Sequence, residues 1–181
     1  MDSLSADIFI IPTIALMIAV GLFILFYTRS DDKHSYNHFV MYVLIISMLM
    51  NSVWELAHSP FYYEHRYDWQ HISICLLASL ADTVMVFILL FLFGLIYKDI
   101  FWIRNLSIGR VVILLLVGAI GAIIGEMWHT SRGDWLYADS MPLIPIVGVG
   151  LLPVLQFALL PLIIFIVSRK LSNRKTFVTI K

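Results

Sequence analysis

Two segments, Glu55-x-x-His58 and Glu126-x-x-His129, carry side chains whose types and spacing could do chemistry. Residues three apart lie on one face of an α-helix, so each segment presents a carboxylate together with an imidazole. In helix-bundle carboxylate proteins, a pair of such segments holds two metal ions. A carboxylate beside an imidazole can also exchange protons with a ligand. The spacing therefore indicates a metal site or an acid–base site, provided that both segments lie on helices of one bundle.

The elements that must position these side chains are predicted to be membrane-spanning helices. Of the 181 residues, 61% are hydrophobic and only 13% are charged, whereas soluble domains carry about 25% charged residues. The mean hydropathy is +0.92. Five apolar stretches reach the length of about 20 residues that a spanning helix needs, at roughly 8–27, 39–57, 72–97, 111–128 and 146–168. The predicted fold is therefore all-α, a polytopic membrane bundle of five helices that forms a single transmembrane domain over residues 1–181.

The composition also excludes several classes of function. Lys+Arg and Asp+Glu are both 12, which gives a formal net charge of zero and no basic excess of the kind that binds nucleic acid. The single cysteine, Cys75, lies inside an apolar run. A disulfide or a cysteine-based metal site within one chain is therefore excluded.

Lysine and arginine residues orient the predicted bundle, because cytoplasmic loops of membrane proteins are enriched in them. Only Arg66 and Arg132 flank the side on which both Glu-x-x-His segments lie. Ten lie on the opposite side: Arg29, Lys33, Lys98, Arg104, Arg110, Arg169, Lys170, Arg174, Lys175 and Lys181. We therefore expect an outside N-terminus, a cytoplasmic C-terminus, and both motifs near the outer surface.

Further polar groups in the spans extend the predicted site. His71 opens the third span at the level of the two motifs, and Asp82 is expected beneath them, close to the middle of the membrane. A lone charged aspartate there costs at least ~2.5–3.5 kcal/mol, so Asp82 should be protonated, paired or next to water. Gln156 is the mid-membrane polar group of the fifth span. We expect catalytic roles for Glu55, His71, Asp82 and Glu126.

The loops that follow the motifs, 59–70 and 130–145, are dense in Trp and Tyr. Such residues are typical of the interfacial belt of membrane proteins, and they also suit a lid or the wall of a ligand site. The expected ligand-binding residues are Trp54, Trp128, Trp135, Tyr137 and Gln156. Pro142 and Pro145 exclude a regular helix in the second loop and favour an extended or re-entrant path.

Three interpretations of the polar groups remain open. In the first, iron, manganese or zinc is bound by Glu55, His58, Glu126 and His129. A full di-iron set needs two further carboxylates, and the spans offer only Asp82. A transition metal is thus one candidate cofactor, and the sequence names no other.

In the second interpretation, Glu55 and Glu126 are desolvated and exchange protons with His71. Such a site could act on a lipid or isoprenoid-like ligand that enters from the outer leaflet. In the third, the acids pair with Arg66, Arg132 and the loop backbones, and they only stabilise the bundle. A non-enzymatic accessory subunit of a membrane complex, or a small transporter, is the alternative function. Five spans are few for a transporter, so that version predicts a homo-oligomer.

Small residues in the fourth span predict close helix packing. Gly118, Gly121, Ala122 and Gly125 are spaced so that two of them, in Gly121-x-x-x-Gly125, make a face on which another helix could approach closely.

Three stretches of the sequence resemble a family of small multi-pass bacterial integral membrane proteins. They are Trp54-Glu55…Pro60-x-Tyr62, Gly133-x-Trp135-x-Tyr137…Met141-Pro142…Pro145, and Gly150-Leu-x-Pro153-x-x-Gln156…Pro161. The resemblance covers most of the chain from the second span onward, and it is most specific from residue 133 to residue 161. It implies a place in the bacterial cytoplasmic (inner) membrane and no particular activity, cofactor or partner. The set of Glu, His and Trp residues is also similar to that of the sterol-isomerase-like membrane fold, although their order differs.

Overall fold

The computed structural model describes residues 10–63 and 68–176. Within them lie five long helices: α1 (Ile10–Arg29), α2 (Lys33–His58), α3 (Trp69–Tyr97), α4 (Ile108–Arg132) and α5 (Leu151–Thr176). All five are long and apolar enough to cross a membrane. The predicted all-α, multi-pass fold is therefore confirmed, while residues 8 and 9 of the first predicted span lie outside the described residues.

Polar caps set where two of the helices begin. Asp32 Oδ1 accepts a hydrogen bond of 2.9 Å from the backbone N–H of Ser35, and Asp68 Oδ1 accepts one of 2.9 Å from that of His71. These hydrogen bonds hold the pKa of each aspartate below its ordinary value of 3.8. Because of its cap, α2 begins at Lys33, well before the predicted residue 39.

The helices pack in the spatial order α1, α3, α2, α5, α4, which places α2 at the centre. α3 and α5 flank α2 and touch each other at few positions. α1 and α4, at the two edges, bury few of their side chains, as lipid-facing helices do. We call the end of the bundle that carries Glu55 and Glu126 the motif end, and the end that carries Arg110 and Arg169 the basic end.

The half of the bundle next to the basic end is filled with apolar and aromatic side chains. Its buried members include Tyr36, Phe39, Val43, Val86, Leu90, Phe91, Phe93, Trp102, Leu114, Ile164 and Phe165. The Trp102 ring packs 5.1 Å from that of Phe93, and its indole N–H donates a 3.1 Å hydrogen bond to the carbonyl of Leu90. Buried aromatic rings of this kind dominate packing energy, so this half forms a tight apolar seal.

α4 approaches α5 closely at Gly118. A Cβ atom at this position would lie 2.0 Å from the carbonyl oxygen of Phe157, so any larger residue would push the helices apart. Among the described residues, nothing lies within 4 Å of a Cβ atom at Gly121 or Gly125. Within this chain, α4 therefore packs through Gly118 and not through the predicted face of Gly121 and Gly125, because its buried stripe runs through Leu114, Gly118, Ala122 and Glu126. Packing of that face against a helix of another chain stays a prediction.

The second loop is extended, as Pro142 and Pro145 predict. Leu143 and Gly150 form an isolated antiparallel bridge, and the backbone N–H of Leu151 donates a 2.7 Å hydrogen bond to the carbonyl of Pro142. Because this small hairpin continues to residue 150, α5 begins at Leu151 and not at the predicted residue 146.

Candidate functional site

Three spanning helices bring polar side chains together around the amide of Gln156 on α5. Its Nε2 lies 2.8 Å from Asp82 Oδ2 on α3, and 3.3 Å from Glu55 Oε1 and 3.2 Å from Asn51 Oδ1 on α2. Gln156 is only 2% exposed. An amide nitrogen carries two hydrogens, so three acceptors compete for two donors. We call these four residues the Gln156 cluster; a proton on either carboxyl would complete its hydrogen bonding.

The pattern of α2 explains why the cluster forms at this level. The buried residues of α2 are Tyr36, Phe39, Val43, Ser47, Asn51 and His58. Steps of three, four and seven residues keep them on one face of the helix. The stripe is apolar or aromatic as far as Val43 and polar from Ser47 onward. The central helix therefore presents a polar half to its neighbours only toward the motif end.

A short chain of hydrogen bonds runs from the cluster toward the middle of the bundle. Asn51 Nδ2 donates to Ser47 Oγ at 3.1 Å, and Ser47 Oγ donates to Thr83 Oγ1 at 3.3 Å. Thr83 Oγ1 in turn donates to the carbonyl of Ser79 at 2.8 Å. Within the part of the chain that the structure describes, no hydrogen-bonded side chains continue this path through the apolar seal. The polar interior is thus closed toward the basic end.

His58 lies on the motif-end side of Glu55. Its Nδ1 is 2.8 Å from the carbonyl oxygen of Trp54. A carbonyl can only accept, so Nδ1 carries the hydrogen. The other ring nitrogen, Nε2, lies 4.0 Å from Glu55 Oε1. Among the described side chains, the buried indole N–H of Trp54 has no hydrogen-bond partner, which is rare for a buried donor.

The second acid, Glu126, forms a separate cluster with the loop that follows α4. It is 9% exposed. Its Oε2 accepts hydrogen bonds from the Tyr137 hydroxyl and, at 3.3 Å, from Trp135 Nε1. Burial raises the pKa of the Tyr137 phenol, and its hydrogen bond to Glu126 raises that pKa further. Tyr137 therefore stays protonated and acts as a donor. We call Glu126, Trp135 and Tyr137 the Glu126 cluster.

His129 lies beside the Glu126 cluster and is held by the same loop. Its Nδ1 is 2.8 Å from Asp134 Oδ2, and its ring stacks on that of Trp135 with centroids 4.2 Å apart. Arg132 Nε also lies 3.5 Å from Asp134 Oδ2. Arg132, which the third interpretation pairs with an acid of the predicted site, thus pairs with Asp134 of the loop. Arg66, the other arginine of that interpretation, lies outside the described residues.

Tyr62 connects the two clusters. It forms an isolated antiparallel bridge with Tyr137, with backbone hydrogen bonds of 2.9 Å on both sides of it. The Tyr62 ring lies 5.7 Å from the Tyr137 ring and 5.4 Å from the His58 ring. Burial raises the pKa of Tyr62, and the negative charges of Glu126 and Glu55 raise it further. The phenol therefore remains protonated.

The structure brings together most, but not all, of the predicted site residues. Glu55, Asp82 and Gln156 meet in one cluster, and the predicted residues Glu126, Trp135 and Tyr137 meet in the other. Residue counting placed Asp82 a turn or more deeper than Glu55. Counting along separate helices does not include the offset between them, and the two carboxyls instead contact the same nitrogen atom.

Two predicted residues have other surroundings. His71 lies in the first turn of α3, where its Nδ1 is 2.9 Å from Asp68 Oδ1. Trp128 is 50% exposed, and the Arg132 guanidinium lies 5.6 Å from its ring centroid. It lies across the helix from Glu126, on the outward face of α4. Their roles in catalysis and ligand binding stay predictions.

Sequence reasoning missed Asn51, Ser47, Thr83 and Tyr62. A signal for the first two was present, since polar residues at 47, 51 and 55 repeat every four positions within an apolar span. Tyr62 carried no comparable signal, because its position depends on the pairing of two loops that are distant in sequence.

The donor set does not fit a transition-metal centre. The two Glu-x-x-His segments lie in separate clusters, and each histidine commits a ring nitrogen to another partner. Within residues 10–63 and 68–176, no three or more His, Cys, Asp or Glu side chains are grouped so that they could hold a metal ion.

The fold and these clusters define a polytopic α-helical membrane protein with two buried acid clusters joined at one end of the bundle. Comparisons with known protein families, with curated proteins and with solved structures found no match for this chain. The family resemblance of the three sequence stretches therefore stays a prediction.

Proposed function

We propose that the protein binds a small or lipidic ligand at the motif end and exchanges a proton with it through Glu55 and Asp82. The observation that carries this proposal is the convergence of both carboxyls on Gln156 Nε2, at 3.3 and 2.8 Å. Ionisable residues within spanning helices are costly and mark functional sites. Two adjacent carboxylates repel each other when both are charged. The pair can therefore hold one proton and release it when a ligand changes its surroundings.

The surrounding residues would have different roles in such a site. Gln156 is a positioning residue, because its amide contacts both carboxyls at once. Glu55 is the acid–base group nearer to the ligand, because the ligand is proposed to bind at the motif end. On that side of Glu55, His58 Nε2 lies 4.0 Å from its Oε1. Tyr62 lies beyond His58 and links this group to Tyr137 and the Glu126 cluster.

The environment of Trp54 indicates the chemical class of the ligand. The buried Trp54 indole N–H lacks a partner among the described side chains, and an acceptor oxygen on a ligand would satisfy it. Trp54 also packs against the apolar seal. An amphipathic molecule such as a lipid or isoprenoid-like compound fits these surroundings, with its polar head at the carboxyls and its apolar body among the aromatic rings.

The distribution of charge supports an outward-facing site. The basic end carries Arg29, Lys33, Lys98, Arg104, Arg110, Arg169 and Lys170, whereas Arg132 is the cation described at the motif end. Under the positive-inside rule, this distribution supports our proposal that the motif end is outside and the basic end is in the cytoplasm. The family resemblance of the sequence adds the bacterial cytoplasmic membrane as the proposed location.

Ligand retention tests the proposal. The protein would be purified from its native membranes in lipid nanodiscs, and bound small molecules would be extracted and identified by mass spectrometry. Glu55→Gln and Asp82→Asn keep the shape of each side chain and remove its acidity. The matched control is Asp139→Asn, because Asp139 is an exposed acid of the second loop.

The proposal predicts a compound that is retained by the wild type and the control and lost or altered in both acid variants. An identical extract from all four proteins, with no retained compound beyond bulk lipid, would contradict it.

A further inference from the structure

A second site lies at the basic end, far from the Gln156 cluster. A cavity of about 350 Å³ is lined by Leu106, Ile166, Arg169, Lys170 and Asn173. Ligand pockets typically measure about 300–1,000 Å³, so this cavity is large enough for a headgroup. Arg169 and Lys170 directly follow residues 151–168 of α5, a run without a charged residue. The cavity therefore lies where the apolar run of α5 ends, which is where a spanning helix reaches the headgroup region.

The polar side of the cavity is suited to a phosphate anion. Arg169 and Lys170 supply two adjacent cations and Asn173 an amide, and no acidic side chain is among the described residues that line the cavity. Arg169 Nη1 donates a 3.0 Å hydrogen bond to the carbonyl of Ile103. A guanidinium has five N–H groups, so this bond fixes its orientation and leaves other donors for an anion.

The turn that holds Arg169 is itself braced. Arg110 Nη1 donates to the carbonyl of Trp102 at 3.2 Å and to that of Asn105 at 3.0 Å. The Arg110 guanidinium also lies 4.0 Å from the ring centroid of Tyr97. The wall of the cavity is thus held in place before any ligand arrives, which lowers the entropic cost of binding.

The remaining wall of the cavity is apolar. Leu106 and Ile166 are partly buried and pack against the apolar seal. A cationic rim above an apolar wall matches a molecule with a phosphate head and a hydrocarbon body. Basic pockets between spanning helices bind phospholipid headgroups in this way. A soluble phosphate would make no use of the apolar wall.

We propose that this cavity binds an anionic phospholipid, with Arg169 and Lys170 against its phosphate and Leu106 and Ile166 against the first carbons of its chains. The proposal is independent of the function of the Gln156 cluster, because neither its residues nor its measurement involve that cluster.

Native mass spectrometry of the purified full chain, titrated with phosphatidylglycerol or phosphatidylcholine, tests the site. The Arg169→Gln/Lys170→Gln variant removes both cations of the cavity. The matched control, Arg29→Gln/Lys33→Gln, removes the same charge from exposed positions at the same end that do not line the cavity. We expect tighter binding of phosphatidylglycerol than of phosphatidylcholine by the wild type. Each cation removed from the cavity should weaken phosphatidylglycerol binding roughly fivefold, and the control should bind like the wild type.

Two further arms separate this site from simpler explanations. Ile166→Trp fills the apolar wall and keeps both cations, so it should also weaken phosphatidylglycerol binding. Equal weakening in the cavity variant and the surface control would show diffuse attraction to surface charge and overturn the proposal. Displacement of the lipid by inorganic phosphate would assign the cations to a soluble phosphate ligand and overturn it as well. The Lys170 side chain is exposed, so Lys170→Gln should fold normally. This single variant removes one of the two cations. It should therefore weaken phosphatidylglycerol binding by about half as much, on a logarithmic scale, as the double variant.

Discussion

Asp82 on α3 and Gln156 on α5 form a 2.8 Å hydrogen bond between two helices that otherwise touch at few positions. Hydrogen bonds between membrane helices contribute only about 0.6 kcal/mol on average. The importance of this bond is therefore geometric. It fixes the amide of Gln156 where it also contacts Glu55 on the central helix. Two acids that are 27 residues apart in sequence (55 and 82) are thereby held at one point.

Replacing Gln156 by Met should destabilise the bundle, because Met has a similar length and no donor. The variant leaves buried acceptors of Glu55 and Asp82 without a partner, which costs roughly 1–3 kcal/mol. Thermal unfolding in detergent would measure the loss. The same substitution in an Asp82→Asn background should cost less, since the asparagine amide can donate to Glu55. Equal costs in both backgrounds would show that Gln156 does not act through the acids.

Replacing Gly118 by Ala should separate α4 from α5. Its Cβ would lie 2.0 Å from the Phe157 carbonyl oxygen, and overpacking of this kind costs about 1–3 kcal/mol. Gly121→Ala is the matched control, because a Cβ at Gly121 has nothing within 4 Å among the described residues. Chemical or thermal unfolding of both variants checks the prediction. Equal stability of the two would show that the helices do not approach at Gly118.

The phenols of Tyr62 and Tyr137 should titrate abnormally. Burial raises the pKa of both above the ordinary value of 10.0. A group whose pKa is raised by folding contributes stability below its unfolded pKa, and that contribution is lost as the pH rises through the folded pKa. The free energy of unfolding should therefore fall as the pH rises above about 10. Tyrosinate absorbance should show a late-titrating fraction that shrinks in Tyr62→Phe and Tyr137→Phe. Full titration of all tyrosines near pH 10 in the folded protein would exclude burial of these two.

Glu126 should hold the two loops together. Glu126→Leu removes the acceptor of the Tyr137 hydroxyl and of Trp135 Nε1, and leaving a buried donor without a partner costs about 1–3 kcal/mol. Hydrogen exchange of the Tyr63 and Ala138 amides, which bond across the loops, should then accelerate about tenfold or more.

Met127→Leu is the control for Glu126, because the neighbouring Met127 side chain is exposed. Its exchange rates should match those of the wild type. Equal acceleration in both variants would show that the loops respond to any change at the end of α4.

The sequence was sufficient to predict the five helices, because apolar stretches of spanning length leave few other structures. It also singled out Glu55, Asp82 and Gln156, since polar groups in such stretches are rare and costly. It did not predict which of them meet. Depth estimated by counting residues along each helix takes no account of how neighbouring helices are offset, and the amide of Gln156 contacts Glu55 and Asp82 at one level.

The second half of the site depends on contacts that are not local in sequence. Tyr62 reaches the Glu126 cluster through its bridge with Tyr137, 75 positions later in the chain (62 and 137). No periodicity within either loop encodes that pairing. The twin Glu-x-x-His segments likewise indicated one shared site, and the structure divides them between two clusters, because Gln156 and Tyr137 provide each acid with a different partner.

The central claim, that Glu55 and Asp82 share an exchangeable proton, is tested most directly by infrared difference spectroscopy of the protein in lipid as the pH is changed. The carbonyl stretch of a protonated carboxyl group is separated from that of a carboxylate. The account predicts a protonated-carboxyl band that changes with pH and shifts in deuterated water. That band should be altered in Glu55→Gln and in Asp82→Asn and should be unchanged in Asp139→Asn. A spectrum that is identical in the wild type and both acid variants would contradict the account.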